Sequence, residues 1–353
     1  MATTVGLLGR PGSGKNTLFS LMSGHRAEAI HLGAGVKPQR AVVMVPDSRL
    51  DALAAIYKPK KVTPVHFEVM NLPGFGPSDD RKLVASILAN YRNCQAVALA
   101  VNLFADRKEE DAARETADFL EELMMIDLLQ IEEILPALKK RAAGKEPDAR
   151  AKFEKLSEIK SALDDGKPAL NVLGSEEEHK LVREYGLITT RPFMIVGNIA
   201  DSDVGRNAGP LSGLAANFGA AYFEIAAKLE EELALMLNED ERREFMDEFG
   251  VKEPGLNRFI RAVFELLGLK IFFTCGDSEV RAWTVGRDGT ALDAAAEIHT
   301  DMARGFIKAD IMKSSDLIEA GSPAPLRAAG KIKLVGRDHP VEDGDVILIR
   351  FNV

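Results

Sequence analysis

Gly9-Arg10-Pro11-Gly12-Ser13-Gly14-Lys15-Asn16-Thr17-Leu18-Phe19-Ser20 follows directly on the apolar run Thr4-Val5-Gly6-Leu7-Leu8. A short apolar run ending in glycine reads as a buried strand, and Thr17–Met22 reads as helix, so the stretch is a strand–turn–helix unit. Gly9, Gly14 and Lys15 fit the phosphate-binding loop pattern G-x-x-x-x-G-K-[ST], but Asn16 stands where a hydroxyl would hold Mg²⁺. In such a loop successive backbone N–H groups and a helix N-terminus point at phosphates, and the lysine neutralises the outer ones. Most of that cradle is backbone. Gly9, Pro11, Gly12, Ser13, Gly14, Lys15, Asn16 and Thr17 are therefore expected to hold phosphate even with the exchange at position 16.

The rest of the chain bounds what this loop can belong to. At 353 residues, two or three domains are expected. The sequence is 46% hydrophobic and 28% charged, which fits a packed globular protein and excludes a disordered one. A net charge of -9 argues against coating nucleic acid nonspecifically, while leaving room for a local basic patch. Cys94 and Cys275 lie far apart and in no metal-ligand spacing, so both are read as reduced, buried thiols. No apolar run reaches the roughly 18 residues of a membrane span, and the first strand leaves no room for a signal peptide. The expected setting is cytoplasmic, with no DNA or membrane partner.

Further apolar runs, Val65–Leu72, Ala96–Phe104, Pro192–Val196 and Ala220–Ala226, alternate with helical patterns. Strands alternating with helices imply a mostly parallel α/β sheet with ligands at the carboxyl ends of the strands. Between about 106 and 190 that alternation stops. Leu120, Leu123, Met124, Leu128, Ile131, Leu135 and Leu138 recur at helical spacing from Glu109 to Arg141, with acidic residues opposite. Pro136 is expected to kink or shorten this helix. A Gly/Pro turn and a second helix, about Asp148–Leu163, complete an antiparallel hairpin. Its tip carries Lys139, Lys140, Arg141 and Lys145, which reads either as a solvated helix end or as a contact for an RNA backbone. Asn238–Leu267 reads as charged helices broken at Pro254-Gly255. From about Ile271 the chain becomes a small β-rich module with one helix, Ala291–Ala303, and a final Asp343-Gly344-Asp345 turn before strand Val346–Val353. With 10 basic and 13 acidic residues, that module carries no net positive field.

Two later loops complete the nucleotide reading. Asn71-Leu72-Pro73-Gly74 stands where D-x-x-G would support the metal and offer the Gly74 N–H to a terminal phosphate, but the carboxylate has become an amide. Phe75 and Gly76 follow it, so no glutamine is present to orient water. Asn198-Ile199-Ala200-Asp201 follows a strand and fits the base-reading N-K-x-D except for its lysine, and as plain turn residues the same groups could simply cap. Ala226-Ala227-Lys228 occupies the place of a further base-contacting loop, so Ala227 and Lys228 join Gly74, Asn198, Ile199 and Asp201 as site candidates.

With these elements in order, the chain resembles the YchF (Obg-like ATPase) subfamily of Obg-related P-loop NTPases. The resemblance runs nearly end to end. It is carried by Pro46-Asp47-Ser48-Arg49-Leu50, Glu253-Pro254-Gly255-Leu256-Asn257-Arg258 with Ile260-Arg261-Ala262, and Glu279-Val280-Arg281-Ala282-Trp283-Thr284. Ile298-His299-Thr300-Asp301, Gly305-Phe306-Ile307, Asp343-Gly344-Asp345 and Phe351-Asn352-Val353 continue it. The resemblance implies an α/β fold: a P-loop NTPase G domain with a mostly parallel sheet, an inserted antiparallel helical (coiled-coil) hairpin, and a C-terminal β-rich TGS domain. The expected boundaries are 1–105 and 191–270 for the two parts of the G domain, 106–190 for the hairpin and 271–353 for the TGS domain. It also implies ATP or GTP as ligand, a ribosome or RNA as partner, and a monomer.

Departures from the family pattern bear on chemistry. Asn16 replaces its loop serine, Gly35 its switch I threonine, and Asn71 its aspartate. The family is thought to use a histidine near the third strand, and the matching position here is Leu99. Mg²⁺ favours near-octahedral hard oxygens, including one or two charged ones, and phosphoryl transfer depends on that charge compensation. The sequence therefore predicts a purine-nucleotide binding protein with weak Mg²⁺ binding, weak or absent hydrolysis and no catalytic residue. Two other readings remain open at this point. One is an active ATPase/GTPase using Asn16 and Asn71 as neutral metal ligands. The other is a scaffold that acts through its TGS domain and hairpin without binding nucleotide.

Overall fold

The computed structural model describes residues 3–24, 37–104, 107–144, 146–205, 209–236, 238–248, 250–251 and 253–352. Gly35 and Lys145 lie outside them. In chain order the strands are β1 (Thr4–Leu8), β2 (Gln39–Met44), β3 (Lys61–Thr63), β4 (His66–Asn71), β5 (Ala96–Leu103), β6 (Phe193–Ile199) and β7 (Ala221–Ile225). They continue with β8 (Leu269–Cys275), β9 (Glu279–Gly286), β10 (Phe306–Lys313), β11 (Lys333–Val335) and β12 (Asp345–Phe351). Two compact units result, residues 1–42 with 68–259, and residues 43–67 with 260–353. Residues 43–67 thus group with the C-terminal residues.

In the first unit the described strands form a six-stranded sheet in the order β2-β4-β1-β5-β6-β7. The pairs β1–β4, β1–β5, β5–β6 and β6–β7 are all parallel. Every residue of β1 is buried, as are Ala96–Val101 of β5 and Phe193–Asn198 of β6. Strands covered on both faces must be apolar throughout, which is why they read as continuous runs rather than alternating ones. From β1 the chain goes to one side for β2 and β4, then returns to the other for β5, β6 and β7. The order thus reverses beside the carboxyl end of β1, where doubly wound sheets open a crevice for ligands. The loop Gly9–Gly14 and helix α1 (Lys15–Ser23) occupy that position.

Helices α2 (Ser48–Tyr57) and α3 (Arg81–Tyr91) precede the insert, which opens with α4 (Glu109–Ala143) and α5 (Pro147–Asp164). Pro136 does not shorten α4, which runs two further turns beyond it. A proline removes one helical N–H, leaving the Glu132 carbonyl without its helical donor. Glu132 and Pro136 both face solvent, so water can serve that carbonyl, while buried Leu138 anchors the turns that follow. Buried Leu123, Ile131 and Leu138 of α4 share one core cluster with Leu156, Ile159 and Leu163 of α5. The insert also hides a charge. Asp127 is 2% exposed, and its carboxylate accepts hydrogen bonds from Ile188 N (2.9 Å), Thr189 N (2.7 Å) and Thr189 Oγ1 (2.6 Å). Burial pushes its pKa up to about 6 against the pull of those donors. At the tip Lys139, Lys140 and Arg141 are exposed, and Arg141 pairs with Glu146 at 3.1 Å.

After short helix α6 (Glu176–Val182), the unit continues with α7 (Pro210–Phe218), α8 (Ala227–Leu235) and α9 (Glu239–Glu248), and α10 (Gly255–Leu266) follows. The segment Glu253–Arg258 now has a physical role. Buried Glu230 of α8 accepts Gly255 N (2.7 Å) and Leu256 N (2.9 Å), satisfying two otherwise orphaned donors at the start of α10.

In the second unit the described strands form a six-stranded mixed sheet in the order β11-β10-β12-β8-β9-β3. Helix α11 (Ala291–Ile298) packs Ala294 and Ala295 on Phe272, Ile311 and Ile347. The helix expected over Ala291–Ala303 is two helices, because His299 is extended (φ -165°) and its Nδ1 accepts Asp301 N at 3.2 Å to start α12 (Thr300–Arg304). Two motifs far apart in sequence meet here. Asp47 caps α2 by accepting Arg49 N at 2.9 Å, and the Arg49 guanidinium bridges Asp47 and Asp343. Asp343 also accepts Ile271 N at 2.8 Å.

Candidate nucleotide site

Gly9 leads into the loop from β1, and Pro11 to Asn16 line a cavity of about 460 Å³ with Arg10, Pro73, Gly74 and Phe104. Gly14 sits at φ +84°, and a Cβ there would lie 1.9 Å from Asn198 Nδ2. Only glycine serves at this point, for conformation and for space. Thr17 is half-buried on α1 and Gly9 carries the Gly74 contact described below, so neither lines the cavity.

Lys15 is 6% exposed, and its Nζ donates to Asn71 Oδ1 at 3.1 Å and to the Leu72 carbonyl. Among the described residues no carboxylate pairs with it, and burial lowers its pKa from 10.5 to about 8. Asn71, itself fully buried at the end of β4, turns its Nδ2 to Asn16 Oδ1 (3.0 Å) and Gln39 Oε1 (3.2 Å). Asn16, Gln39, Asn71 and Lys15 thus form one connected hydrogen-bond network. This donor set does not fit Mg²⁺. The Asn71 oxygen faces an ammonium, the Asn16 and Gln39 oxygens each accept from the Asn71 amide, and among the described residues no carboxylate takes part. Among the described residues no group of three His, Cys, Asp or Glu side chains could hold a metal ion. Leu99, at the position of the family's histidine, is 2% exposed within β5.

Asn198 joins the loop to the far side of the site. It is 5% exposed at the end of β6; its Oδ1 accepts Ala227 N (3.2 Å) and its Nδ2 donates to the Ser13 carbonyl (3.4 Å). Ala227 begins α8, with Lys228 exposed beside it. Asp201 is half-buried in the turn after β6. Ile199 packs on the small cluster of Ala226, Leu229 and Leu233, so that side chain serves the core rather than the cavity.

Sequence reasoning missed Arg10, Gln39, Phe104 and Glu230. Arg10 fills a position that the motif leaves free. Gln39 belongs to a strand that no periodicity announces. Phe104 and Glu230 are ordinary members of their segments until the fold gives them partners.

A glycine-rich loop at the switch point of a parallel sheet, with an asparagine from a neighbouring strand end bonded to its backbone, defines a G domain of the P-loop NTPase class. Within that class the chain belongs to the YchF family. It is 35% identical over 367 residues to the ribosome-binding ATPase YchF of Bacillus subtilis (strain 168), with 100% of both chains covered. Its identity to the ribosome-binding ATPase YchF of Escherichia coli O157:H7 is 34% over 364 residues, again with 100% of both covered. The solved YchF GTPase of Schizosaccharomyces pombe superimposes with a TM-score of 0.81 at 25% identity, covering 99% of this chain and 98% of that one. The YchF-GTPase_C model, described as a protein of unknown function (DUF933), matches residues 269–352. Among the described residues no helix is long and apolar enough to cross a membrane.

Proposed function

We propose that this protein is a cytoplasmic, ribosome-associated nucleotide switch that binds ATP or GTP with little help from Mg²⁺ and hydrolyses it slowly or not at all. The observation that carries the reading is the amide network around Asn71. Asn71 gives its oxygen to Lys15 and its NH₂ to Asn16 and Gln39, so each oxygen that a metal would use already accepts a hydrogen bond. Lys15, Gly74 and the N–H groups of the loop remain to neutralise and position phosphates, with Asn198, Asp201, Ala227 and Lys228 around the base. Ribosome association is carried over from relatives named ribosome-binding ATPases that match along the whole chain. The exposed lysines at the hairpin tip and the C-terminal β-rich unit, read as a TGS domain, are the surfaces assigned to RNA.

Calorimetry with ATP, GTP and their diphosphates, with and without Mg²⁺, tests the reading alongside a turnover assay. The expected result is binding that changes less than about fivefold on chelation, with turnover well below that of a YchF relative assayed in parallel. Metal-dependent hydrolysis at the relative's rate would favour the active-enzyme reading. Failure to bind any nucleotide would favour the scaffold.

A further inference from the structure

Arg10 ties the phosphate loop to the helical insert. Its Nη1 donates to the Phe75 carbonyl at 3.2 Å, and its Nη2 pairs with Glu122 Oε2 of α4 at 3.0 Å. The guanidinium carbon lies 4.4 Å from the centre of the Phe119 ring, a cation–π contact, and that ring stands 5.1 Å from the fully buried ring of Phe75. Phe75 belongs to the loop that closes the cavity. A Cβ on its neighbour Gly74 would lie 2.7 Å from Gly9 O and 2.8 Å from Pro11 N, so this loop rests on the phosphate loop with no clearance. Arg10, Pro73 and Gly74 line the same cavity as Lys15. One cation is therefore shared among the phosphate loop, the loop after β4 and α4.

We propose that Arg10 is the joint through which filling of the phosphate cradle is communicated to α4. The proposal rests on the nucleotide reading given above. A terminal phosphate carries more negative charge than the single Glu122 carboxylate and enters a cavity that Arg10 already lines. It competes for the guanidinium, and it presses on Pro73 and Gly74, which lack room to yield without moving Phe75. Both effects weaken the Arg10–Glu122 pair and release α4 around Phe119–Glu122. The diphosphate, lacking that terminal group, leaves the pair in place. By linkage, whatever holds α4 against Arg10 must lower affinity for the triphosphate by the same factor.

Hydrogen exchange on the full chain, with ATP, with ADP and without nucleotide, tests this alongside calorimetry on the same samples. In the wild type, saturating ATP should speed exchange of amides 115–127 by about fivefold or more, the lower end of ordinary coupling, and ADP should not. Glu122→Gln keeps the shape of the side chain and removes its charge. In that variant the segment should exchange fast without nucleotide, ATP should add less than about twofold, and ATP should bind about fivefold more tightly. A pair that merely stabilises α4 would raise exchange in Glu122→Gln and leave ATP affinity unchanged, which overturns the proposal. Arg10→Leu, as a second variant, should abolish the ATP response. An unaltered wild-type segment with ATP bound, or a full ATP response in either variant, also overturns it. If calorimetry shows no nucleotide bound to the wild type, the nucleotide reading fails and the relay fails with it.

Discussion

Lys15 carries a pH dependence that can be worked from its surroundings. Its ammonium is buried against neutral groups, the Asn71 amide oxygen and the Leu72 carbonyl, and its pKa falls from 10.5 to about 8. A phosphate beside Nζ restores the reason to be charged, so binding is coupled to proton uptake. At pH 7 the free site is already about nine-tenths protonated, and nucleotide should take up only about 0.1 proton. At pH 8.5 the free site is about one-quarter protonated, and uptake should rise to about 0.75 proton. Above pH 8 affinity should fall by up to tenfold per pH unit, reaching about 30-fold by pH 9.5. The folding sign follows from the same displacement. A lysine whose folded pKa is depressed costs stability while charged, so that cost, at most about 3 kcal/mol, is full below pH 8 and relieved as pH rises from 8 to 10.5. Calorimetry with ADP in buffers of different ionisation heat counts the protons directly. A flat affinity from pH 7 to 9.5 with no extra proton uptake would refute the reasoning, because Lys15 would then be charged throughout or outside the phosphate site.

Three other perturbations probe separate parts of the molecule. The double variant Asn16→Ser, Asn71→Asp should open the amide network and make ATP affinity depend on Mg²⁺ by about tenfold or more, read as the ratio of Kd with and without chelator. Pro136→Ala supplies the missing N–H to the Glu132 carbonyl and should stabilise the end of α4 by up to about 3 kcal/mol, seen as slower amide exchange confined to residues 132–143. Asp127→Asn sets an amide NH₂ among three donors and should destabilise the protein by about 2–4 kcal/mol in chemical denaturation. The wild-type Asp127 has a raised folded pKa, so its contribution is lost as pH rises from 3.8 towards 6, and the gap between the two proteins should narrow over that window.

Much of the parallel sheet was legible because central strands must be apolar on both faces. The run Thr4–Leu8 coincides with β1, and the runs beginning at Val65, Ala96, Pro192 and Ala220 fall within one to three residues of their strands. Strand β2 escaped notice because Gln39-Arg40-Ala41-Val42-Val43-Met44 lies at the sheet edge and buries only Val43. The phosphate loop could be read because its chemistry depends on residues adjacent in sequence. The amide network could not, since Gln39 and Asn71 become neighbours of Asn16 only when β2 and β4 lie side by side. The role of Glu230 was hidden for the same reason, its partners being backbone N–H groups 25 residues away.

Strand β3 adds a consequence for the order in which the chain can be completed. It pairs in parallel with β9, Lys61 opposite Glu279 and Thr63 opposite Arg281, although more than 200 residues of synthesis separate them. At about 5–20 residues per second, the segment 43–67 is made some 10–40 s before its partner strand exists. During that interval the buried side chains Leu50 and Leu53 of α2 lack β8 and β9, on which that helix packs. The polypeptide 269–352, expressed alone, would lack both the α2 segment that Arg49 fastens to Asp343 and the strand that closes one sheet edge. A ribosome making this protein must therefore finish almost the whole message before the second unit can close.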